Sequence, residues 1–373
     1  MIIRDRSRLV GHLSSILNFK IVLIVAVLQI TVFVKISNSE YWKCSSLADV
    51  RPDVRLPVVS SKEESSSSSR QFCKFAYKAI NHKNLYTKCP ACLSQGVQDH
   101  ILTRIFNTVG TTNQHCVEFG FGYGKGTSDL TMDMFSAKKK ITSGLNTHML
   151  IQHGWNHTFF DAIDENEKIN LVKAVLSEDN IVSEFQKAGI PANVDYVSID
   201  VDSTDIWLLN GLLKGGHYKP RVISIEYNQN WPASMPVTCS KIWEPWRRRS
   251  RIYGTSAAAV HIVAQMYNYT IVEVMHDLDI FLVHNDVLGD TCNNTNELPA
   301  WEWLGDGYLG TNVHQTCDEE EAMRRLVDFP LAFEGKTKKA SAKAMEYIHE
   351  LNEYRVQRGE PEFCKMSTST VLG

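Results

Sequence analysis

Two short β-branched runs, residues 194–199 and 222–225, constrain the fold of this chain more than any other feature. The first leads into Asp200-Val201-Asp202-Ser203-Thr204-Asp205, the second into Glu226-Tyr227-Asn228, and the helix-length segment between them closes at Gly215-Gly216. Strand, acidic loop, helix, strand, acidic loop is the pattern of an open α/β sheet, whose ligands bind outside the carboxyl ends of the strands. The aspartates of the first loop therefore stand where chemistry is expected. Asp and Ser are also good helix N-caps, which accounts for one of them. Three exceed what a cap requires.

The rest of the chain extends the alternation. Val97, Ile101, Leu102, Ile105, Phe106 and Val109 recur at helical spacing. His115-Cys116-Val117-Glu118-Phe119-Gly120-Phe121-Gly122 reads as a strand running into a glycine turn, where backbone can approach a ligand closely. The spacing then predicts a helix over 145–153 and a second strand over 158–163. Asp161 in that strand is placed either for ribose hydroxyls or for an ordinary surface turn. A third strand over 171–175 and a helix over 181–188 precede the acidic pair. A helix over 255–267 and a hairpin of 271–275 with 279–283 close the sheet edge. The expected fold is α/β: a doubly wound, mostly parallel seven-stranded sheet over 93–290, then a charged, helical C-terminal extension over 291–373. The apolar positions of that extension are Met323, Leu326, Val327, Met345, Ile348 and Leu351.

The N-terminus points to the secretory pathway. Arg4, Arg6, Arg8 and Lys20 precede an uncharged run over 21–34. A span needs about 17–25 residues, and Lys20 and Lys35 can snorkel to extend this one. Residues 1–20 are then cytosolic, 21–36 a signal anchor, 37–70 a Ser-rich stem and 71–92 a cysteine-bearing segment. This is the layout of a single-pass type II protein with its bulk in the Golgi or endoplasmic reticulum lumen. The alternative is a cleaved signal peptide, which makes the protein secreted. All nine cysteines follow the apolar run, as do the N-glycosylation sequons at Asn156, Asn268 and Asn293. Cys116 lies in a strand pattern as a buried thiol, and the remaining cysteines are expected to pair as disulfides. Zinc at Cys89-Pro90-Ala91-Cys92 is a weaker alternative, because no second ligand pair completes a site. The net charge of −3 gives no reason to expect nucleic acid.

The order of glycine turn, acidic second strand, acidic fourth and fifth strands, helix and hairpin resembles class I S-adenosylmethionine-dependent methyltransferases. More specifically, the chain is similar to a largely uncharacterised branch related to FkbM-type methyltransferases. The matching pieces are Val117-Glu118-Phe119-Gly120-Phe121, Ser143-Gly144-Leu145-Asn146-Thr147, Gly154-Trp155, Phe159-Phe160-Asp161, Ile169-Asn170-Leu171, Ser198-Ile199-Asp200-Val201-Asp202 with Asp205-Ile206-Trp207, and Pro220-Arg221-Val222-Ile223-Ser224-Ile225-Glu226-Tyr227-Asn228. They fall within residues 93–284. The chain departs from that pattern at Ser203 and Thr204, and by an insertion over 122–142. The resemblance implies S-adenosylmethionine as cofactor, with Glu118, Gly120 and Gly122 near its methionine part and Asp161 near its ribose.

Methyl transfer needs positioned reactants and a group that deprotonates or polarises the acceptor. Asp200, Asp202 and Asp205 are the catalytic candidates. Asp200, Asp202, Glu226 and Asn228 are hard oxygen ligands that suit Mg²⁺, Mn²⁺ or Ca²⁺. The set is similar to that of catechol O-methyltransferase, whose ligands come from the ends of the same two strands. Helix capping with a solvated acidic rim is the competing reading. Trp246 and Arg248, in the loop after the fifth strand, are candidates for acceptor contact; a plain basic loop or a processing signal competes. The expected activity is O-methylation of a glycan or small secreted hydroxyl compound. A fold that has lost catalysis, or a glycosyltransferase using Asp200-Val201-Asp202, are the alternatives.

Overall fold

The computed structural model describes residues 92–121, 127–136, 141, 144–232, 234–245, 250–275, 278–289 and 317–366. The expected anchor, the stem, Cys44, Cys73, Cys89, Cys292 and the Asn293 sequon lie outside the described residues. No helix among those described is long and apolar enough to cross a membrane.

A seven-stranded sheet organises the chain, in the order β3-β2-β1-β4-β5-β8-β7. Its strands are β1 (His115–Phe119), β2 (Asn156–Asp161), β3 (Leu171–Lys173), β4 (Tyr196–Ile199), β5 (Val222–Glu226), β7 (Tyr269–Val274) and β8 (Asp279–His284). β3, β2, β1, β4 and β5 are parallel; β8 runs antiparallel between β5 and β7. Asp161, Asp200 and Glu226 consequently share the carboxyl edge. The strand order reverses direction between β1 and β4, which makes that point of the edge the ligand crevice.

Alternation divides the side chains between two apolar layers. Val117, Phe119, Val197, Ile199, Ile223 and Ile225 enter one core, while Cys116, Tyr196, Val222 and Phe281 enter the other. Helices cover both faces: α1 (Gln98–Val109), α2 (His148–Gln152), α3 (Ile181–Lys187), α4 (Asp205–Leu213) and α5 (Ala257–Met266). α2 begins later than its apolar pattern predicts, and the backbone N–H groups of Asn146 and Thr147 just before it bind Glu118.

The C-terminal extension departs from expectation. α6 (Glu319–Arg325) stops at Leu326, and Leu326–Asp328 forms a strand, β9, antiparallel to β6 (Val237–Cys239). Asp328 then caps α7 (Phe329–Phe333), with Pro330 in its first turn. Leu326 and Val327 are therefore buried strand residues, and Met323 is exposed. α8 (Thr337–Gln357) buries Ala340, Ala344, Ile348 and Leu351. Ala344, Ile348 and Leu351 join Trp231, Val237 and Ile252 in a third core beside the sheet edge. Cys317 and Cys364 form a disulfide, and Cys92 is disulfide-bonded. Cys116 is a buried thiol as expected. Cys239 corrects the cysteine expectation: it is a free, buried thiol in β6, too enclosed to meet a partner.

Candidate functional site at the carboxyl edge

The loop after β4 is held by its own last aspartate. Asp205 opens α4 fully buried, and its Oδ1 accepts the Val201 N–H at 2.8 Å. That bond folds the loop back on the helix start but is not the N-cap expected of an aspartate, a position that falls to Thr204 without a side-chain bond; Asp200 and Asp202 are half-buried. Asp202 has φ of +62°, a left-handed backbone that Asp tolerates better than most residues. Glu226 ends β5 beside them. One carboxylate oxygen each from Asp200, Asp202 and Glu226 lie within 4.8 Å of one another.

Crowding and burial oppose ionisation here. Asp200 is raised well above the usual carboxylate range by burial and by the charges of Asp202 and Asp205. Glu226 is raised by burial, then by Asp200, Asp205 and Asp202. Burial pushes Asp205 up to about 7. Burial also raises Asp202, against the Arg325 guanidinium, which favours its charged form.

Asn228 does not join the triad. Its amide donates to the carbonyls of Arg251 and Tyr253 at 2.8 and 3.0 Å, and its Oδ1 accepts from the backbone and side-chain nitrogens of Asn230. Those bonds fix the chain after β5 and leave the amide committed to structure.

Gly120 is required, though by the protein itself. Its φ is +71°, and a Cβ there would stand 2.0 Å from the carbonyl oxygen of Asp200. The glycine lets the ends of β1 and β4 touch at the crevice. Glu118 lies beneath that point, fully engaged: Oε1 accepts from Asn146 N, and Oε2 from the backbone and hydroxyl of Thr147. Burial raises it to about 7 against those donors. Asp161, at the end of β2, accepts the N–H groups of Ile163 and Asp164 at 2.7 and 3.0 Å. It thus makes the turn that competed with the ribose reading, at the edge where a ribose ligand is expected. Gly122, Trp246 and Arg248 lie outside the described residues. Trp243 donates its indole N–H to the Val201 carbonyl at 3.3 Å, over the acidic loop. Arg251, from the same basic stretch, bonds the carbonyls of Glu362 and Phe363 and so clamps the C-terminal segment.

Arg325 is the site residue that sequence reasoning misses. It is 2% exposed, pairs with Glu321 at 2.9 Å and donates to the Glu244 carbonyl at 3.4 Å. The i,i+4 spacing of Glu321 and Arg325 reads as a solvated helix pair. Only the β6–β9 pairing brings it beside the acidic loop. Of the sequons, Asn156 at the head of β2 and Asn268 before β7 are exposed. The chain matches no protein-family model and no curated protein.

Proposed function

We propose that the carboxyl edge binds S-adenosylmethionine and transfers its methyl group to a hydroxyl of a glycan or small compound in the secretory lumen. The observation that carries this reading is the strand order. The order of the parallel strands reverses between β1 and β4, and antiparallel β8 lies between β5 and β7, the arrangement that the class I methyltransferase resemblance implies. In this reading Asp161 accepts ribose hydroxyls, and Ile163, 72% exposed, offers apolar surface to the base beside it. Gly120 and Gly122 border the methionine part, with Glu118 bracing the turn from below.

S-adenosylmethionine supplies an electrophilic methyl on a sulfonium. Asp200 and Asp202 face the acceptor, and Asp205 orders their loop. A carboxylate whose proton affinity is raised by burial is better suited to take the acceptor's hydroxyl proton. When bound, S-adenosylmethionine would be the methyl source, its sulfur keeping the electron pair as the acceptor oxygen takes the methyl group. Trp246 and Arg248 contact the acceptor.

Calorimetric titration of the full chain with S-adenosylmethionine tests the reading. Asp161→Ala is expected to lower affinity about ten- to hundredfold, the equivalent of about 1.5–3 kcal/mol for charged hydrogen bonds. Unchanged affinity removes the ribose assignment. Binding of a nucleotide sugar in place of S-adenosylmethionine selects the glycosyltransferase alternative. Binding of S-adenosylmethionine without turnover on hydroxyl acceptors selects a fold that has kept its ligand and lost catalysis.

A further inference from the structure

We infer that Asp200, Asp202 and Glu226 bind one small divalent cation of the Mg²⁺ or Mn²⁺ class at the junction of β4 and β5. The site does not require the methyl donor; with the ion bound, Asp200 and Asp202 would serve as its ligands rather than as the proton acceptor.

The first observation is geometric. The converging oxygens lie within 4.8 Å of one another. Ligands on opposite sides of such an ion, each about 2.1 Å from it, stand about 4.2 Å apart. Small side-chain rotations therefore bring all three carboxylates onto one ion. With no nitrogen or sulfur among them, the set favours Mg²⁺ or Mn²⁺ over zinc or copper.

The second observation brings in a carboxylate outside the triad, Asp205. Asp205 is fully buried, yet among the described residues its Oδ2 has no hydrogen-bond partner, and neither has the buried Oε2 of Glu226. Both oxygens face Gly254: a Cβ placed there would stand 3.6 Å from Glu226 Oε2 and 3.8 Å from Asp205 Oδ2. Folded proteins leave few buried polar atoms unpaired, and each such atom needs a cause. Here two carboxylate oxygens, from different elements, turn toward one point beside a carboxylate triad. Arg325 faces Asp202, but its guanidinium is shared with Glu321 and the Glu244 carbonyl. A divalent ion supplies the remaining positive charge, and its bound water supplies donors for the unpaired oxygens.

The test uses the full-length chain in detergent, stripped with EDTA and desalted, then titrated with MnCl₂ alone. Bound Mn²⁺ is read as loss of the free-ion electron paramagnetic resonance signal. One site per chain is expected, weakened at least tenfold in Asp202→Asn and in Glu226→Gln. It should be unchanged in Asp179→Asn, an exposed carboxylate before α3. Mn²⁺ should also raise the thermal midpoint of the wild type and leave that of Asp202→Asn in place. Equal Mn²⁺ affinity in wild type and Asp202→Asn overturns the site. If Glu226→Gln does not fold, Asp202→Asn decides alone, since Asp202 is a half-buried loop residue. S-adenosylmethionine titrated into the same samples reports separately on the methyl-donor reading, so either can fail without the other.

Discussion

Asp195 shows how much a single carboxylate can organise without touching a ligand. It sits fully buried just before β4 and accepts the backbone N–H groups of Thr112, Asn113 and Gln114, along with the Thr112 hydroxyl. Arg221 pairs with it at 3.0 Å and reaches on to the carbonyls of Val109 and Gly110. One side chain thus ties the entrance of β1 to those of β4 and β5, at the sheet edge opposite the crevice. Asp195→Ala would leave a guanidinium and several N–H groups without their partner. We expect it to destabilise the fold by about 3–5 kcal/mol, the range for breaking one side of a buried ion pair, measured by urea denaturation. A loss below about 1 kcal/mol would show that water replaces the carboxylate. In sequence Asp195 is one more acid at a strand start. Its role depends on a turn about eighty residues upstream, which local patterning cannot reveal. The three acidic side chains at the other edge were legible because strand ends in an α/β sheet face ligands whatever the rest of the chain does. Asn228 was overread for a related reason: composition shows that an amide is present, whereas its hydrogen-bond partners depend on a later loop.

At the scale of elements, β1, β4, β5 and β8 share a polar seam beneath the crevice. Tyr196 and Ser224 hydroxyls bond at 2.7 Å, Ser224 donates to Ser198, and Asn146 links Ser198 to Asp279. Gln98 of α1 also donates to Asp279, at 2.9 Å. Glu118 closes the seam at β1, and its proton affinity has a measurable consequence. In the fold burial raises it from 4.5 to about 7, so between those values the folded chain keeps a proton that the unfolded chain has released. Stability from this group is therefore lost as pH rises from about 5 to 7, by up to about 3 kcal/mol. Urea midpoints at pH 5.5 and 7.5 should fall toward higher pH in the wild type, and less steeply in Glu118→Gln. Equal slopes would place the pH dependence elsewhere. The main strands and helices were legible because a sheet covered on both faces leaves near-continuous apolar runs. β9 was not: Arg325-Leu326-Val327 continues a helical pattern, and only an open edge at β6 turns it into a strand.

On the scale of the whole molecule, the C-terminal residues are part of the site's architecture. Trp231, Ile252 and Phe363 pack in one core, so the chain after β5 and the end of the chain hold each other. A boundary near residue 290 followed from the end of the α/β alternation. The packing across it arises from tertiary contacts that carry no periodic signal. Exposed Asn156 and Asn268 make a prediction about the compartment. If the bulk of the chain is lumenal, glycosidase treatment of the cell-expressed protein should increase its gel mobility. Unchanged mobility counts against that placement.

Cys239 has a consequence of simple parity. Two of the nine cysteines, Cys116 and Cys239, are buried thiols, which leaves seven. Bridges consume sulfurs in pairs, so an odd remainder cannot be closed within one chain. At least one more sulfur must stay reduced or bond outside its own polypeptide, and a second copy of the chain brings the same odd sulfur to complete the pair. Unfolded without reductant, a monomeric chain should titrate no fewer than three thiols. A chain that titrates two should migrate as a covalent dimer, which reductant separates.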